Sequence, residues 1–510
     1  MVVSCTSFGI NGIDGYKVTV EASSRQGLPA MDLVGLPDAA VKESRDRVRS
    51  AMYYCGFHLP SAHFIFNLAP ADIKKEGPIY DLPITVNLMR LSGYVRKNLD
   101  DCAFIGELGL NGDLRGINGV LPMVITAREC GVKRMFIPEQ NCREASVVEG
   151  IEVYPIKDIR QLKAVLNGEI EMAPAEPVKD CNISSDEFKP DFSQVKGQFE
   201  VKRAMEIAAA GGHNILLIGP PGSGKSMLAK RVPSILPDMT FDEMIETTKI
   251  HSISGALHSD GLITERPFRS PHHTVTPVGL GGGGSGNIRP GEVSLAHNGV
   301  LFLDELPEFR RQVLEVLRQP MEERRVTISR AKMTIDYPAS FMLVAAMNPC
   351  PCGYYNHPTV ECTCPAGAVK KYMNKISGPL LDRIDLHIEV TPVPVSQLNN
   401  MQQGESSAVI RERVVAARAI QTARFAGHPG VHCNAQMTSK LTREHCALTD
   451  ECRSIIETAM NRLGLSARAY DRILRVSRTI ADLEGSPAIQ PHHLQEAITY
   501  RSLDRDSWGK

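Results

Sequence analysis

The chain has 510 residues, with 57 Lys and Arg against 58 Asp and Glu and a formal net charge of −1 at pH 7. This length suggests about three domains with cores of their own, and the balanced charge excludes a globally basic binder, so any polyanion must be met by a local basic surface. The 13 cysteines are odd in number and scattered, the start MVVSCTSFGINGIDG has neither a basic nor an apolar leader region, and no stretch approaches about 18 apolar residues; together these predict a cytoplasmic protein with reduced thiols and no membrane contact.

Residues 1–168 alternate apolar segments with polar ones: a strand over 17–22, a helix over 39–55, a strand over 63–67, then the apolar run 82–91. They predict an α/β domain. The stretches DLVGLPDAAVKESRDRVRSA (32–51), NLAPADIKKEGPIYDLPI (67–84) and GELGLNGDLRGINGVLP (106–122) resemble the N-terminal domain of the ComM/YifB family, which is related in fold to the proteolytic domain of Lon. Lon-like proteases carry a nucleophilic Ser after a Gly-Pro and pair it with a Lys from a later helix. Here Gly77-Pro78 is followed by Ile79, and Gly119 by Val120-Leu121-Pro122-Met123-Val124, so both members of the dyad are missing. The expectation is a structural or partner-binding domain. The polar, Pro-rich stretch 169–190 then reads as a linker.

An ATPase domain is predicted over 191–393. Its first segment, Asp191-Phe-Ser-Gln-Val-Lys-Gly-Gln198, resembles the adenine-side approach of AAA+ proteins of the magnesium-chelatase type. The apolar strand 214–218 runs into Gly219-Pro220-Pro221-Gly222-Ser223-Gly224-Lys225-Ser226 and the helix opened by Met227, the strand, loop and helix of a phosphate cradle. Glycines let successive N–H groups turn inward, Lys225 would reach the β- and γ-phosphates of ATP, and Ser226 would ligate Mg²⁺. The apolar run Val300-Leu-Phe-Leu303 ends in Asp304 and Glu305, so Asp304 is placed to hold the Mg²⁺ water shell and Glu305 to orient the attacking water.

Between these landmarks lies a long Gly- and Pro-rich insertion carrying Arg266, Arg269, His272, His273 and Arg289 around Gly281-Gly-Gly-Gly284. It reads equally as a phosphate-backbone contact or as a solvated loop. After the acidic strand, 322–339 alternates as two β segments meeting near Arg330-Ala331-Lys332, a hairpin with a basic tip. This hairpin resembles the pre-sensor insertion of magnesium-chelatase subunits and MCM helicases. The strand 341–346 ends at Asn348, an amide placed to meet the attacking water or the γ-phosphate. Cys350, Cys352, Cys362 and Cys364 follow; four close thiols suit a structural Zn²⁺, with redox pairing or plain loop cysteines as alternatives. Residues 394–510 read as a helical lid, with Tyr470, Ile473, Leu474, Ser477 and Ile480 on one stripe and Arg468, Arg472 and Arg475 on another.

The resemblance to the ComM/YifB family spans almost the whole chain in order. It implies an N-terminal Lon-protease-like α/β domain, a P-loop AAA+ α/β domain and a C-terminal helical lid. It further implies a sensor-1 residue at Asn348, an arginine finger at Arg383 within Leu380-Leu-Asp-Arg-Ile-Asp385, a sensor-2 arginine at Arg468, and a homo-hexameric motor that promotes branch migration on single-stranded or branched DNA during natural transformation. The residues alone give an ATP hydrolase with partner-facing loops, whose DNA contact is expected at Arg330 and Lys332. The alternative is a magnesium-chelatase-like remodelling subunit that does not act on DNA.

Overall fold

The computed structural model describes residues 2–177, 190–257, 261–284, 288–330, 333–357, 359–392 and 404–501. Lys332 lies outside these residues, as does most of the stretch expected to be a linker. Among the described residues no helix is long and apolar enough to cross a membrane.

The strands are, in order, β1 (Val2–Asn11), β2 (Asp14–Gln26), β3 (Ala30–Val34), β4 (Ala62–Ala69), β5 (Cys102–Phe104), β6 (Glu107–Leu108), β7 (Leu114–Arg115), β8 (Arg134–Pro138) and β9 (Glu152–Ile156), followed by β10 (Ile215–Ile218), β11 (Phe268–Arg269), β12 (Gly282–Gly283), β13 (Arg289–Pro290), β14 (Val300–Leu303), β15 (Arg325–Arg330), β16 (Met333–Pro338), β17 (Met342–Met347) and β18 (Leu386–Glu389). A seven-stranded mixed sheet in the order β3-β4-β2-β1-β5-β8-β9 forms the N-terminal layer. Its long hairpin β1–β2 turns at Asn11↔Asp14, and the helices Asp81–Leu91 and Val120–Glu129 cover it. The first of these helices is buried nearly all round, which is why the run 82–91 is apolar without period. Part of the polar stretch after residue 168 packs back on this domain: Met172 and Ala175 touch its core, and Ala175 N–H donates to Val153 O at 2.8 Å.

The second sheet is parallel, in the order β11-β14-β17-β10-β18. β10, β14 and β17 are buried at every position, as an α/β sheet covered on both faces requires. The registers Ile218↔Met347 and Leu303↔Ala345 bring the ends of β10, β14 and β17 to one edge. β15 and β16 pair antiparallel with Arg330 opposite Met333, so the expected hairpin forms, with Arg330 exposed at its end.

The C-terminal helices Ser407–Arg424, Asp450–Leu463, Ala467–Leu483 and Pro491–Thr499 close over the sheet and share its core. The apolar stripe of Ala467–Leu483 faces inward: Ile473, Leu474, Ser477 and Ile480 are buried.

The two halves meet along the helix Phe241–Ser254. Met244 and Ile245 pack on the N-terminal core, Lys249 pairs with Asp14 at 3.2 Å, and Ser252 donates to the buried Glu144. Ile13, at the β1–β2 turn, packs with Ile288, Ile335 and Tyr337 at the hairpin's base. Between them lies a cavity of about 330 Å³ lined by Tyr16, Gly77, Pro78, Ile79, Tyr80 and residues of the opposite half. None of its described lining residues is Ser, Thr or Cys, so no aliphatic hydroxyl or thiol lines it beside Ile79.

Candidate nucleotide site

The carboxyl end of β10 turns sharply at Gly219, where a Cβ would lie 2.4 Å from Val390 O, so only glycine fits. Gly224, left-handed at φ 90°, caps the short helix Lys225–Ala229. A cavity of about 420 Å³ opens there, lined by Pro221, Gly222, Gly224, Lys225, Ser226, Met227, Asp304, Glu305, Met347 and Asn348. The phosphate-binding, acidic and amide residues read from three separate stretches of sequence thus line one space. Gly219 and Pro220 lie behind it as acceptors, and Ser223 is buried beneath the loop.

Lys225 Nζ donates to Gly219 O at 2.7 Å, Pro220 O at 2.9 Å and Asn348 Oδ1 at 3.3 Å. Burial lowers its pKa, with the charges of Asp304 and Glu305 opposing that shift. Ser226 Oγ donates to Asp304 Oδ2 at 2.5 Å. Asp304 Oδ1 accepts from the Glu305 N–H at 2.9 Å, which fixes the Glu305 backbone in a left-handed conformation at φ 52°. The donor set fits a magnesium nucleotide: an ammonium for phosphate oxygens, a hydroxyl and a carboxylate side by side for the cation, and a second carboxylate for water. Bound Mg²⁺ would neutralise charge developing on the phosphates. Lys225 would position them, and Glu305 would accept the proton of the attacking water.

The two arginines expected to contact nucleotide are elsewhere. Arg383 is 5% exposed, donates to Pro379 O and pairs with Glu322. Arg468, at the start of Ala467–Leu483, lines a cavity of about 400 Å³ with Asn214, Glu322, Arg324, Arg472 and Arg475. Asn214 immediately precedes β10, whose opposite end carries the P-loop, so this cavity and the cradle lie at opposite ends of one strand. Neither Arg383 nor Arg468 lines the cradle of its own chain.

The three arginines of the second stripe differ in their surroundings. Arg472 pairs with buried Asp385, and Arg475 donates to Thr442 Oγ1 and Ala435 O. Arg468 is exposed and has no hydrogen bond or ion pair among the described residues. Burial pushes the Asp385 carboxyl up, but Arg472 and His213 outweigh it and hold the group well below the usual carboxylate range.

Two arginines of the Gly-rich insertion, read equally as phosphate contacts or as part of a solvated loop, are paired within the fold. Arg266 is held by Pro237 O, Asn298 O, Asp238 O and Glu243, and Arg269 forms a two-point pair with Glu292 at 2.7 and 2.8 Å. Arg289 remains exposed. His273, in the same insertion, has its Nδ1 3.4 Å from Glu305 Oε2. The only signal for it in the sequence was a His pair just beyond the Arg269 segment.

The four cysteines converge. Sγ separations are 3.2 Å for Cys350–Cys352, 3.5 Å for Cys352–Cys362 and 3.8 Å for Cys350–Cys362, and Cys364 completes a set within 4.8 Å. A tetrahedral Zn²⁺ with Zn–S bonds of about 2.3 Å needs sulfurs about 3.8 Å apart. The thiols therefore fit zinc closely. The cluster abuts the cradle, because Gly353 packs against the Pro221 ring.

Residues 191–398 match the family described as magnesium chelatase, subunit ChlI; residues 20–141 match subunit ChlI of Mg-chelatase, and residues 404–501 match the ChlI C-terminal family. The chain is 45% identical over 498 residues to the competence protein ComM of Haemophilus influenzae, covering 97% of this chain and 96% of that one. It is 42% identical over 496 residues to the uncharacterized protein YifB of Escherichia coli, again covering 97% and 96%. The chain belongs to the ComM/YifB family. It is also similar to a Lon protease of Mycolicibacterium smegmatis, at 27% identity over 173 residues, 31% of this chain and 22% of that one. Membership of the ComM/YifB family and the magnesium-chelatase match place the chain among AAA+ ATPase-like proteins.

Proposed function

We propose that this ComM/YifB protein is an ATP-driven hexameric motor that moves single-stranded or branched DNA, promoting branch migration as incoming strands are integrated in natural transformation. The observation that carries the catalytic part is the convergence of Lys225, Ser226, Asp304, Glu305 and Asn348 on one cavity. The DNA part is supported by the similarity to a relative named a competence protein and by the exposed Arg330 and Arg289, on β15 and β13, the two strands next to β12. Repeated around a ring, a few such cations would concentrate positive charge on a strand passing through an otherwise neutral protein. Lys332, two residues after Arg330 in the sequence, would add to them.

Assembly accounts for the placement of Arg383 and Arg468. In a ring, each would act on the nucleotide of a neighbouring subunit, with Arg383 exchanging Glu322 for phosphate. Zn²⁺ held by Cys350, Cys352, Cys362 and Cys364 would brace the loop behind Asn348. The magnesium-chelatase matches favour a second reading, a remodelling subunit that ignores DNA. Measuring ATP hydrolysis with and without single-stranded or forked DNA separates the two: a rise supports the motor, and indifference supports the remodelling subunit.

A further inference from the structure

The helix Ala39–Tyr54 joins β3 to β4 and is anchored along one side. Asp38 caps it through the Val41 N–H at 2.8 Å, and Val41, Ser44, Val48, Ala51 and Met52 are buried. Arg47 is locked to Asp81 at 2.7 and 3.0 Å, with Glu43 turned to it at 3.7 Å. The opposite side is left to Lys42, Arg45, Arg49 and Tyr53, which fall within an arc of about 80° at 3.6 residues per turn. All four are exposed. The Lys42 and Arg49 side chains have no ion pair or hydrogen bond among the described residues. Arg45 pairs with its neighbour Asp46 at 3.3 Å, both groups being more than half exposed, a contact that water largely screens. Three cations against that one carboxylate leave the face with an excess of two positive charges.

Charge alone would make this an ordinary solvated face; the tyrosine sets it apart. Tyr53 is 81% exposed and Tyr54 67%, whereas the other tyrosines among the described residues are buried or half-buried. The face also begins beside the surface already assigned to DNA. Asp38 Oδ2 accepts from the Gly77 N–H at 3.2 Å, and Gly77 lines the cavity whose other wall carries Arg289.

We propose that the outer face of the helix Ala39–Tyr54 is a second contact for single-stranded DNA, with Lys42, Arg45 and Arg49 on phosphates and the Tyr53 ring against a base. It rests on the reading that the protein acts on single-stranded DNA, and it gives the N-terminal domain a part in that function. From Lys42 to Tyr53 the helix rises about 16 Å, the length of about five phosphates in a stacked strand. The cations supply affinity without regard to sequence. The ring supplies the preference for a single strand, because unpaired bases offer open faces for stacking and a duplex keeps them covered.

Anisotropy of a labelled single-stranded oligonucleotide, and of an abasic strand of the same length, tests this on the full chain at several salt concentrations, with melting curves recorded for each variant. Tyr53→Ala is expected to weaken binding of the base-bearing strand by at least about fivefold, the loss of one stacked base, and to leave the abasic strand unchanged. Tyr53→Phe, which keeps a ring, should bind both strands like wild type. The Lys42→Ala, Arg49→Ala double variant should weaken both strands and flatten the slope of log affinity against log salt by about 1.4, for two phosphates released. Should Tyr53→Ala fold poorly, Tyr53→Gln carries the same expectation. Wild-type affinity for the base-bearing strand in every folded variant overturns the contact and leaves the hairpin reading standing. Equal losses for both strands in Tyr53→Ala overturn the stacking. Wild-type DNA binding by the double variant, together with lost binding of polyglutamate, makes the face a protein-docking surface and overturns the proposal. A wild type that binds no strand at any salt concentration overturns the DNA reading, and the second contact with it.

Discussion

Ser226 Oγ donates to Asp304 Oδ2 at 2.5 Å, joining the first turn of the P-loop helix to the end of the acidic strand. A hydroxyl and a carboxylate this close are the two protein groups a divalent cation would draw between them. With Lys225 beside them, they separate holding the nucleotide from cleaving it. Glu305→Gln is expected to bind ATP about as well as wild type and to lose about 10²- to 10⁴-fold in kcat, the contribution of a general base. Lys225→Ala is expected to lose binding itself. Fluorescent-nucleotide titration together with a phosphate-release assay distinguishes these outcomes, and near wild-type turnover by Glu305→Gln would refute the assignment.

Arg383 supplies a complementation test because its partner in the same chain is Glu322 and not a phosphate ligand. Arg383→Ala and Lys225→Ala proteins, each inactive alone, are expected to recover hydrolysis when mixed, since each can supply what its neighbour lacks. Arg468→Ala should behave like Arg383→Ala. Absence of recovery in rings shown to be mixed would make Arg383 a structural ion-pair residue.

How much of this could be read from the chain depended on sequence distance. The cradle and the acidic strand are local patterns, and the alternation of 322–339 marks the hairpin, so these were legible. The fates of the insertion's arginines were not: Arg266 and Arg269 are claimed by Glu243 and Glu292, each 23 residues away, and nothing local distinguishes a cation with a remote carboxylate from a free one. The pairing of Arg472 could not be read from its stripe, because its partner, Asp385, is 87 residues away. β1 went unread because its alternating interior includes Cys5 and Ser7, residues whose polarity masks the apolar period.

Metal analysis of protein purified without chelator should find about one zinc per chain, bound by the four-thiol set. Because Gly353 rests on Pro221, stripping the metal with a strong chelator should lower the melting temperature and weaken ATP binding as well. Cys362→Ser should lose the zinc. Protein that contains no zinc yet melts and binds ATP normally would leave these cysteines as plain loop thiols.

Asp385 predicts an acid-sensitive joint between the sheet and the lid. Its folded-state pKa is depressed, so its pair with Arg472 contributes fully above the unfolded value of about 3.9 and is lost as pH falls below it. Asp385→Asn leaves the half-buried Arg472 without its counter-charge and is expected to cost about 3 kcal/mol. Melting curves from pH 7 down to pH 3 should show the variant much less stable at pH 7, with the gap narrowing only at the acid end. A constant gap would contradict the assignment.

The central claim is that ATP hydrolysis here is coupled to DNA through the basic hairpin. The most direct measurement is the ATPase rate of the wild type and of the Arg330→Ala, Lys332→Ala double variant, titrated with single-stranded and forked DNA at several salt concentrations. The account predicts that DNA accelerates the wild type and that log affinity falls with log salt by about 0.7 per strand phosphate neutralised. It predicts that the double variant binds more weakly, with a shallower salt slope and little acceleration. A wild-type rate indifferent to DNA at every salt concentration, or a double variant accelerated as strongly as the wild type, would contradict it.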